Sequence, residues 1–203
     1  MNFDEVKKYW EERASADNSA QSTTQDYYLR DIEFQVVKRL IDQYRPADVM
    51  DVGCGDARTT ARLAVEFEGV KFVGGDYSES MVRNAQGIIN RSRIDNLSVL
   101  LCDVSHPLPL RQLEMVYTTR CLINLPTWEL QQNAIKNISD ALVANGLYVM
   151  IENFLEGHES FNRVRRDFGL PEIPVREHNL YFSRALLMDL VSNYFDVLEE
   201  VNI

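Results

Sequence analysis

Cysteine, histidine and uninterrupted apolar sequence are all scarce in this chain. It has 203 residues, with three cysteines and three histidines. Cys54, Cys102 and Cys121 stand far apart, no two at metal-ligand spacing, and an odd number does not build a disulfide framework. All three lie in apolar segments and read as reduced, buried small residues. No run of ~18 apolar residues exists, so no membrane span is expected. Met1 to Arg13 is charged and has no apolar signal core, which points to a soluble, cytoplasmic protein. Basic residues are outnumbered, 21 to 31, leaving a net charge of −10. A nucleic-acid binder usually shows a basic stripe. The densest basic stretch here is Arg163, Arg165 and Arg166, flanked by Glu159 and Asp167, and it reads as a solvated helix face. No nucleic-acid partner is therefore expected.

What is present is 45% apolar residues, enough for a sizeable core in one α/β domain. Repeats, low-complexity tracts and Gly/Ser linkers are missing. The first thirty or so residues are polar. Ile32, Val36, Leu40 and Ile41 then fall at helical spacing, and Tyr44-Arg45-Pro46 closes that helix. Beyond it, strands and helices alternate. Residues 47–52, 70–74, 97–101, 115–118, 147–151 and 195–201 read as six strands. The intervening helices cover 56–67, 78–90, a long run opened by Pro126, 156–168 and 183–194. Gly146 stands where a helix C-cap belongs. This alternation predicts a doubly wound, mostly parallel sheet with both faces covered. Ligands of such sheets bind beyond the carboxyl ends of the strands, where strand order reverses.

The strongest local feature is the first strand-to-helix turn, Val49-Met50-Asp51-Val52-Gly53-Cys54-Gly55-Asp56-Ala57. Two glycines two apart let the backbone turn sharply and approach a ligand. A dinucleotide fingerprint wants a third glycine at position 58, where this chain has Arg58. A carboxylate at Asp56, read as the helix start, would repel a pyrophosphate seeking the positive end of the helix. A sulfonium that bears an amino acid has no phosphate, and its ammonium suits Asp51 or Asp56. Asp76 ends the next strand, where an acid accepts ribose hydroxyls or else caps the helix at Ser78. Asp103, with Val104, follows the third strand. It suits an adenine amine, or is a solvated loop acid.

With these residues the chain resembles the class I S-adenosylmethionine-dependent methyltransferases, over roughly residues 25–201. The resemblance rests on the glycine loop, on Gly74-Gly75-Asp76-Tyr77-Ser78, on Leu101-Cys102-Asp103-Val104 and on the segment from Val116 to Leu125. It implies S-adenosyl-L-methionine as cofactor. It places Gly53, Cys54 and Gly55 under the cofactor, Asp76 and Tyr77 at the ribose, and Asp103 and Val104 at the adenine. Met81 becomes an apolar contact for the adenosine, and residues 119–122, Arg120 included, lie beside the methionine moiety. Family members often carry an N-terminal lid, which suggests residues 1–45 as a helical lid and 46–203 as the Rossmann-like methyltransferase domain. Thr24 to Arg30 is the lid candidate. Arg30 suits the cofactor carboxylate, and equally an exposed helix arginine. The family's sheet usually has seven strands. Six here leave two readings: a piece of a longer protein, or a sheet finished differently.

Methyl transfer chiefly demands alignment, and an oxygen acceptor can also demand a base. Glu152 at the end of the fifth strand and His178 in the loop Arg176 to Tyr181 are the base candidates. Arg120 is a candidate for an acidic acceptor. No carboxylate set resembles the divalent-metal site of catechol-type methyltransferases, so no metal is expected. The Asn/Asp-Pro-Pro-Tyr motif of amide or base N-methylation is missing after the fourth strand. The resemblance is nearest to small-molecule or sugar O-methyltransferases. An NAD(P)-dependent oxidoreductase and a non-catalytic nucleotide-binding domain are the competing readings. Arg58 and the lack of a Tyr-x-x-x-Lys pair oppose the first.

Overall fold

A computed structural model describes residues 1–16 and 26–202. In chain order the elements are α1 (Phe3–Ala16), α2 (Tyr27–Tyr44), β1 (Asp48–Val52), α3 (Arg58–Glu66), β2 (Lys71–Asp76), α4 (Glu79–Ser92) and β3 (Leu97–Leu101). They continue with β4 (Leu113–Thr119), a 3-10 turn (Leu122–Asn124), α5 (Trp128–Ala141), β5 (Leu142–Ile151), α6 (Leu155–Asp167) and α7 (Arg184–Val191). Among the described residues the sheet has five strands in the order β3-β2-β1-β4-β5, and every pairing is parallel. Strand order reverses between β1 and β4, which pair from Val49↔Met115 to Val52↔Thr118. The expected doubly wound α/β sheet is what forms.

Period-two alternation sends successive side chains of each strand to opposite faces. Val49, Phe72, Met115, Tyr117 and Val149 pack with Phe34, Val37 and Ile41 of α2, and with Leu63 and Ala64 of α3. Met50, Val52 and Val116 pack on the other face with Ala134, Ile135, Ile138 and Ala141 of α5, and with Leu187 and Val191 of α7. Thus α2 belongs to the core of the body, and of the first 45 residues it is α1 that reaches across to α4. Helix α1 starts on a capping box: Glu5 N–H donates to Asn2 Oδ1, and Asn2 N–H donates to Glu5 Oε2.

Three sequence expectations need correction. Residues 195–201 are not a strand. Phe195 packs on Tyr148, and the segment is tied by side chains, Glu199 to Arg39 and Glu200 to Arg184, so β5 is the sheet edge. Gly146 is not a helix C-cap. Helix α5 stops at Ala141, Leu142 turns extended, and Gly146 lies within β5. A Cβ there would stand 3.1 Å from the Leu113 carbonyl, so the glycine permits close backbone approach. Helix α3 begins at Arg58, not Asp56. Ala57 takes the left-handed conformation at φ 55°, and Asp56 precedes the helix.

Ile138 is fully buried in the α5 face. Truncation to alanine removes apolar contacts and leaves a void, so Ile138→Ala should cost about 2–5 kcal/mol. Urea unfolding is expected to show a lower midpoint with an unchanged slope.

Candidate functional site

The glycine turn after β1 and the loop after β4 flank the point where strand order reverses. Gly53 and Gly55 hold φ 78° and 56°, in the left-handed region that favours glycine. The amides of Gly53 and Cys54 donate to the Gly75 carbonyl at the end of β2, at 2.8 and 3.1 Å. A Cβ on Gly53 would lie 2.3 Å from the Cys121 Sγ, so the thiol of the β4 loop seats directly on the glycine. Cys54 packs in the same way against Gly74, and Cys102 against Gly75. Burial pushes all three thiols up, Cys102 to about 12, so they stay protonated and apolar in character.

Asp76 is buried at the tip of β2. Its Oδ2 accepts from Gly55 N–H and its Oδ1 from Ser78 N–H, both at 2.9 Å. Each oxygen keeps acceptor capacity beyond these bonds. The helix cap itself is Ser78, whose Oγ accepts from Met81 N–H. Asp51 accepts from the Tyr117 hydroxyl at 2.8 Å and from Thr60 Oγ1, a buried network joining β1, β4 and α3. Burial raises both carboxyls to about 6, and each of the two networks pulls the other way. Asp56 is also buried, with Arg58 Nε 2.6 Å from its Oδ2.

Arg120 follows β4 at φ 49°, an uncommon conformation for a side-chain-bearing residue. Its Nη2 donates to Glu33 Oε2 at 3.0 Å, and its Nε lies 2.7 Å from Glu33 Oε1 at an angle poor for a hydrogen bond. Arg30 is half-buried and within electrostatic reach of Asp56, Arg120, Arg58 and Glu33; burial holds its pKa down. Arg30 of α2 and Arg120, just past β4, thus lie within electrostatic reach of each other, and Arg30 of Asp56 beside the glycine turn. Within the lid candidate, Thr24 and Gln25 lie outside the described residues, and Asp26 caps α2 by accepting from Leu29 N–H.

Glu152 is placed as a clamp rather than as a solvated strand-end acid. Its Oε1 accepts from the amides of Cys121 and Leu122 at 3.1 and 2.9 Å, and its Oε2 from Ile123 N–H at 3.2 Å. Burial raises it to about 7 against the pull of those three amides. His178 is buried between rings of α1, stacked on Tyr9 at 4.5 Å and edge-on to Trp10 at 5.6 Å. Among the described residues its ring nitrogens make no hydrogen bond. Burial, then the charges of Arg176 and Arg13, lower its pKa, so it is neutral at pH 7.

The N-terminal helix closes the ensemble, and the motifs gave no sign of it. Lys7 Nζ reaches Asp103 Oδ2 at 2.5 Å, and Ser105 donates to Asp103 Oδ1. Burial works to raise Asp103, but Lys7 and Ser105 outweigh it and hold it low. Glu11 accepts from Ser78 Oγ at 2.5 Å and from Ser80 Oγ. Trp10 Nε1 donates to Asn124 Oδ1 at 3.1 Å. Tyr77 packs edge-on to Phe3, while Met81 and Val104 are buried. Two signals were there to find: Asn2-x-x-Glu5, and Val6, Trp10 and Ala14 four apart. Glu33, Asn124 and the seat of Cys121 left no such trace, because their partners lie far along the chain.

A profile of the family described as methyltransferase domain matches residues 46–164. The chain belongs to this methyltransferase family. Among similar proteins is a carboxy-S-adenosyl-L-methionine synthase of Actinobacillus pleuropneumoniae serotype 7, 25% identical over 167 residues, 76% of this chain and 68% of the relative. The YcgJ protein of Bacillus subtilis has a similar fold, with a TM-score of 0.61 and 14% identity over 79% of this chain and 66% of that one. PKMT2 from Rickettsia typhi, solved in complex with AdoHcy, has a TM-score of 0.51 and 17% identity over 72% of this chain and 28% of its own. The chain thus spans about two thirds of the length of the first two.

The family's cofactor is S-adenosylmethionine, and the residues of this chain fit it. The turn at 53–55 has no side chain on either glycine, a buried carboxylate with spare acceptor capacity adjoins it at Asp76, and a second acid stands at Asp103. Among the described residues no His, Cys, Asp or Glu cluster is arranged to hold a metal ion. Nor is any helix long and apolar enough to cross a membrane.

Two expectations follow for this protein. Gly53→Ala forces an unfavourable φ and a clash with Cys121, so it should destabilise by more than about 1 kcal/mol. The double variant Gly53→Ala/Cys121→Gly should recover part of the loss in urea midpoint, whereas additive losses would disprove the steric contact. The second concerns pH. Between 3.8 and about 6, folded Asp51 holds a proton that the unfolded chain has released, so its contribution to stability falls as pH rises through that window. Asp51→Asn should flatten the corresponding slope of unfolding midpoint against pH.

Proposed function

We propose that this protein transfers the methyl group of S-adenosylmethionine to an oxygen of a small-molecule or sugar acceptor. The observation that carries the cofactor half is the buried Asp76 carboxylate bonded to the Gly55 amide of the turn. Gly53, Cys54, Gly55, Asp76, Tyr77, Met81, Asp103 and Val104 are the residues proposed to hold the nucleoside. Arg30 or Arg120 would hold the carboxylate, and Asp51 or Asp56 would attract the ammonium. The acidic balance of the site favours a cation, since Asp51, Asp56, Asp76, Glu33 and Glu152 are all buried or nearly so. When bound, the sulfonium supplies an already activated methyl group, so the protein's own task is alignment and dehydration of the site.

His178 is the base this reading assigns. It is neutral, and a neutral imidazole has a lone pair to take the acceptor's proton. Glu152 is less suited, because both its oxygens already accept amides. Arg120 is paired with Glu33, so an acidic acceptor would have to compete for it.

The likeness to carboxy-S-adenosyl-L-methionine synthases favours a second reading, in which the cofactor itself is modified. The product would then be S-adenosylmethionine enlarged by a carboxyl group, and a carboxylate donor would call on Arg30 or Arg120. Mass spectrometry of the nucleoside product separates the two readings. S-adenosylhomocysteine together with a methylated acceptor supports methyl transfer, and a heavier sulfonium supports the second.

Calorimetric titration of S-adenosylhomocysteine tests the shared basis. Asp76→Ala should weaken binding by about 1.5–3 kcal/mol, roughly 10- to 100-fold, the usual weight of a charged hydrogen bond. Lack of binding by the parent protein would overturn the proposal. His178→Ala should leave that affinity within about threefold and lower turnover by about 10²–10⁴.

A further inference from the structure

The loop from Arg120 to Asn124 reaches the glycine turn, α2, α1 and the segment that carries His178. Cys121 seats on Gly53 of the glycine turn. Arg120 pairs with Glu33 of α2. Asn124 binds Trp10 of α1 and, through Nδ2, donates to the Arg120 carbonyl at 2.7 Å. The Ile123 carbonyl accepts from Leu180 N–H at 2.7 Å, and Gln131 donates to the carbonyls of both Leu122 and Leu180, tying in the segment that carries His178. Yet the loop's own backbone secures little of this. Its turn spans three residues, and the amides of Cys121, Leu122 and Ile123 stand at its unsatisfied N-terminal end.

All three of those amides end on one side chain. We propose that Glu152 is the positioning residue of the cofactor site: its carboxylate fixes the loop after β4 against the glycine turn, and takes no proton from the acceptor. This rests on the S-adenosylmethionine reading for its functional consequence, though not for its geometry. Glu152 stands just beyond β5, the strand paired with β4 up to Thr119↔Ile151. Arg120 N–H donates to the Ile151 carbonyl at 2.7 Å, one last bond before the left-handed turn at Arg120. The ladder therefore ends where the carboxylate takes over. A main chain that leaves a strand in a strained conformation persists only when its surroundings hold it there. Oε1 accepts two amides and Oε2 a third, so a proton taken up by this carboxylate would compete with the clamp.

The experiment compares Glu152→Gln and Glu152→Ala with the parent protein. Glutamine keeps the two bonds made at Oε1, but its amide sets N–H against the Ile123 N–H, so one bond of three is lost. Alanine loses all three. Amide hydrogen exchange should accelerate at 121–123 in both variants, more in alanine, and the increase should extend to residues 53–55. S-adenosylhomocysteine affinity of the folded protein should fall about three- to tenfold in glutamine and more than about tenfold in alanine, which corresponds to one or more lost hydrogen bonds. The pH–rate profile of the glutamine variant should keep its shape, with turnover within about tenfold of the parent. A base would instead give a loss of about 10²–10⁴ and remove a limb of the profile. That result, or exchange at 121–123 and 53–55 unchanged in both variants, would overturn the proposal. A lower melting temperature with unaltered affinity would reduce Glu152 to a structural role and overturn it equally. If the parent protein itself fails to bind S-adenosylhomocysteine, the cofactor reading falls, and exchange at 121–123 and 53–55 still decides whether Glu152 positions the loop.

Discussion

Gly53 and Cys121 share one small volume at the centre of the sheet's carboxyl end, and much of the site's geometry depends on that contact. A side chain at 53 would occupy the space of the thiol. The absent Cβ therefore brings the β1 turn and the β4 loop together at the reversal of strand order. The β1–β4 pairing sets the two strands side by side, and their tips then need a means of staying close once the ladder ends. Glycine on one side, a small protonated thiol on the other and the Glu152 clamp behind supply it. From there the contacts spread to Arg120 with Glu33, to Asn124 with Trp10 and to the His178 segment.

Electrostatics gives the site its character. A chain with net charge −10 places several of its carboxylates out of water at the strand ends. Burial of a carboxylate is unfavourable unless hydrogen bonds compensate, and Asp51, Asp76 and Glu152 are each met by donors from a neighbouring element. Their raised pKa values show that burial still prevails. Such a site is poorly suited to a phosphate and well suited to a ligand with cationic centres. The departures at Arg58 and Asp56 from a dinucleotide fingerprint agree with this. Asp56 lies outside the helix, however, and Arg58 pairs with it, so its effect on a ligand is softened.

Helix α1 adds a layer that bridges separate loops. Its Lys7, Trp10 and Glu11 bond to residues after β3, after β4 and in α4 respectively, while Tyr9 stacks on His178. Of the expected lid, residues 1–45, α1 makes these contacts, while α2 packs on the sheet. Asp26 to Arg30 begins a helix whose later residues Phe34, Val37 and Ile41 join the core.

The sequence by itself determined the α/β alternation, the glycine turn, the acids at three strand ends and the family. These are written in local periodicity and in residues a few positions apart, where backbone geometry leaves few alternatives. The strand pattern at 195–201 shows the limit of such evidence. Alternation declares a willingness to pair, but pairing needs a neighbouring edge, and here side-chain ties hold the segment elsewhere. Gly146 shows another limit, since a glycine needed for close backbone approach looks the same in sequence as one needed for a helix cap. Only the tertiary structure decided that Glu152 faces three amides, that Arg120 finds Glu33, that Cys121 fills the space above Gly53 and that α1 reaches Asp103. Each of those partners stands some thirty or more residues away in the chain, and the distance is closed by the packing of strands and helices, not by anything the intervening sequence spells out.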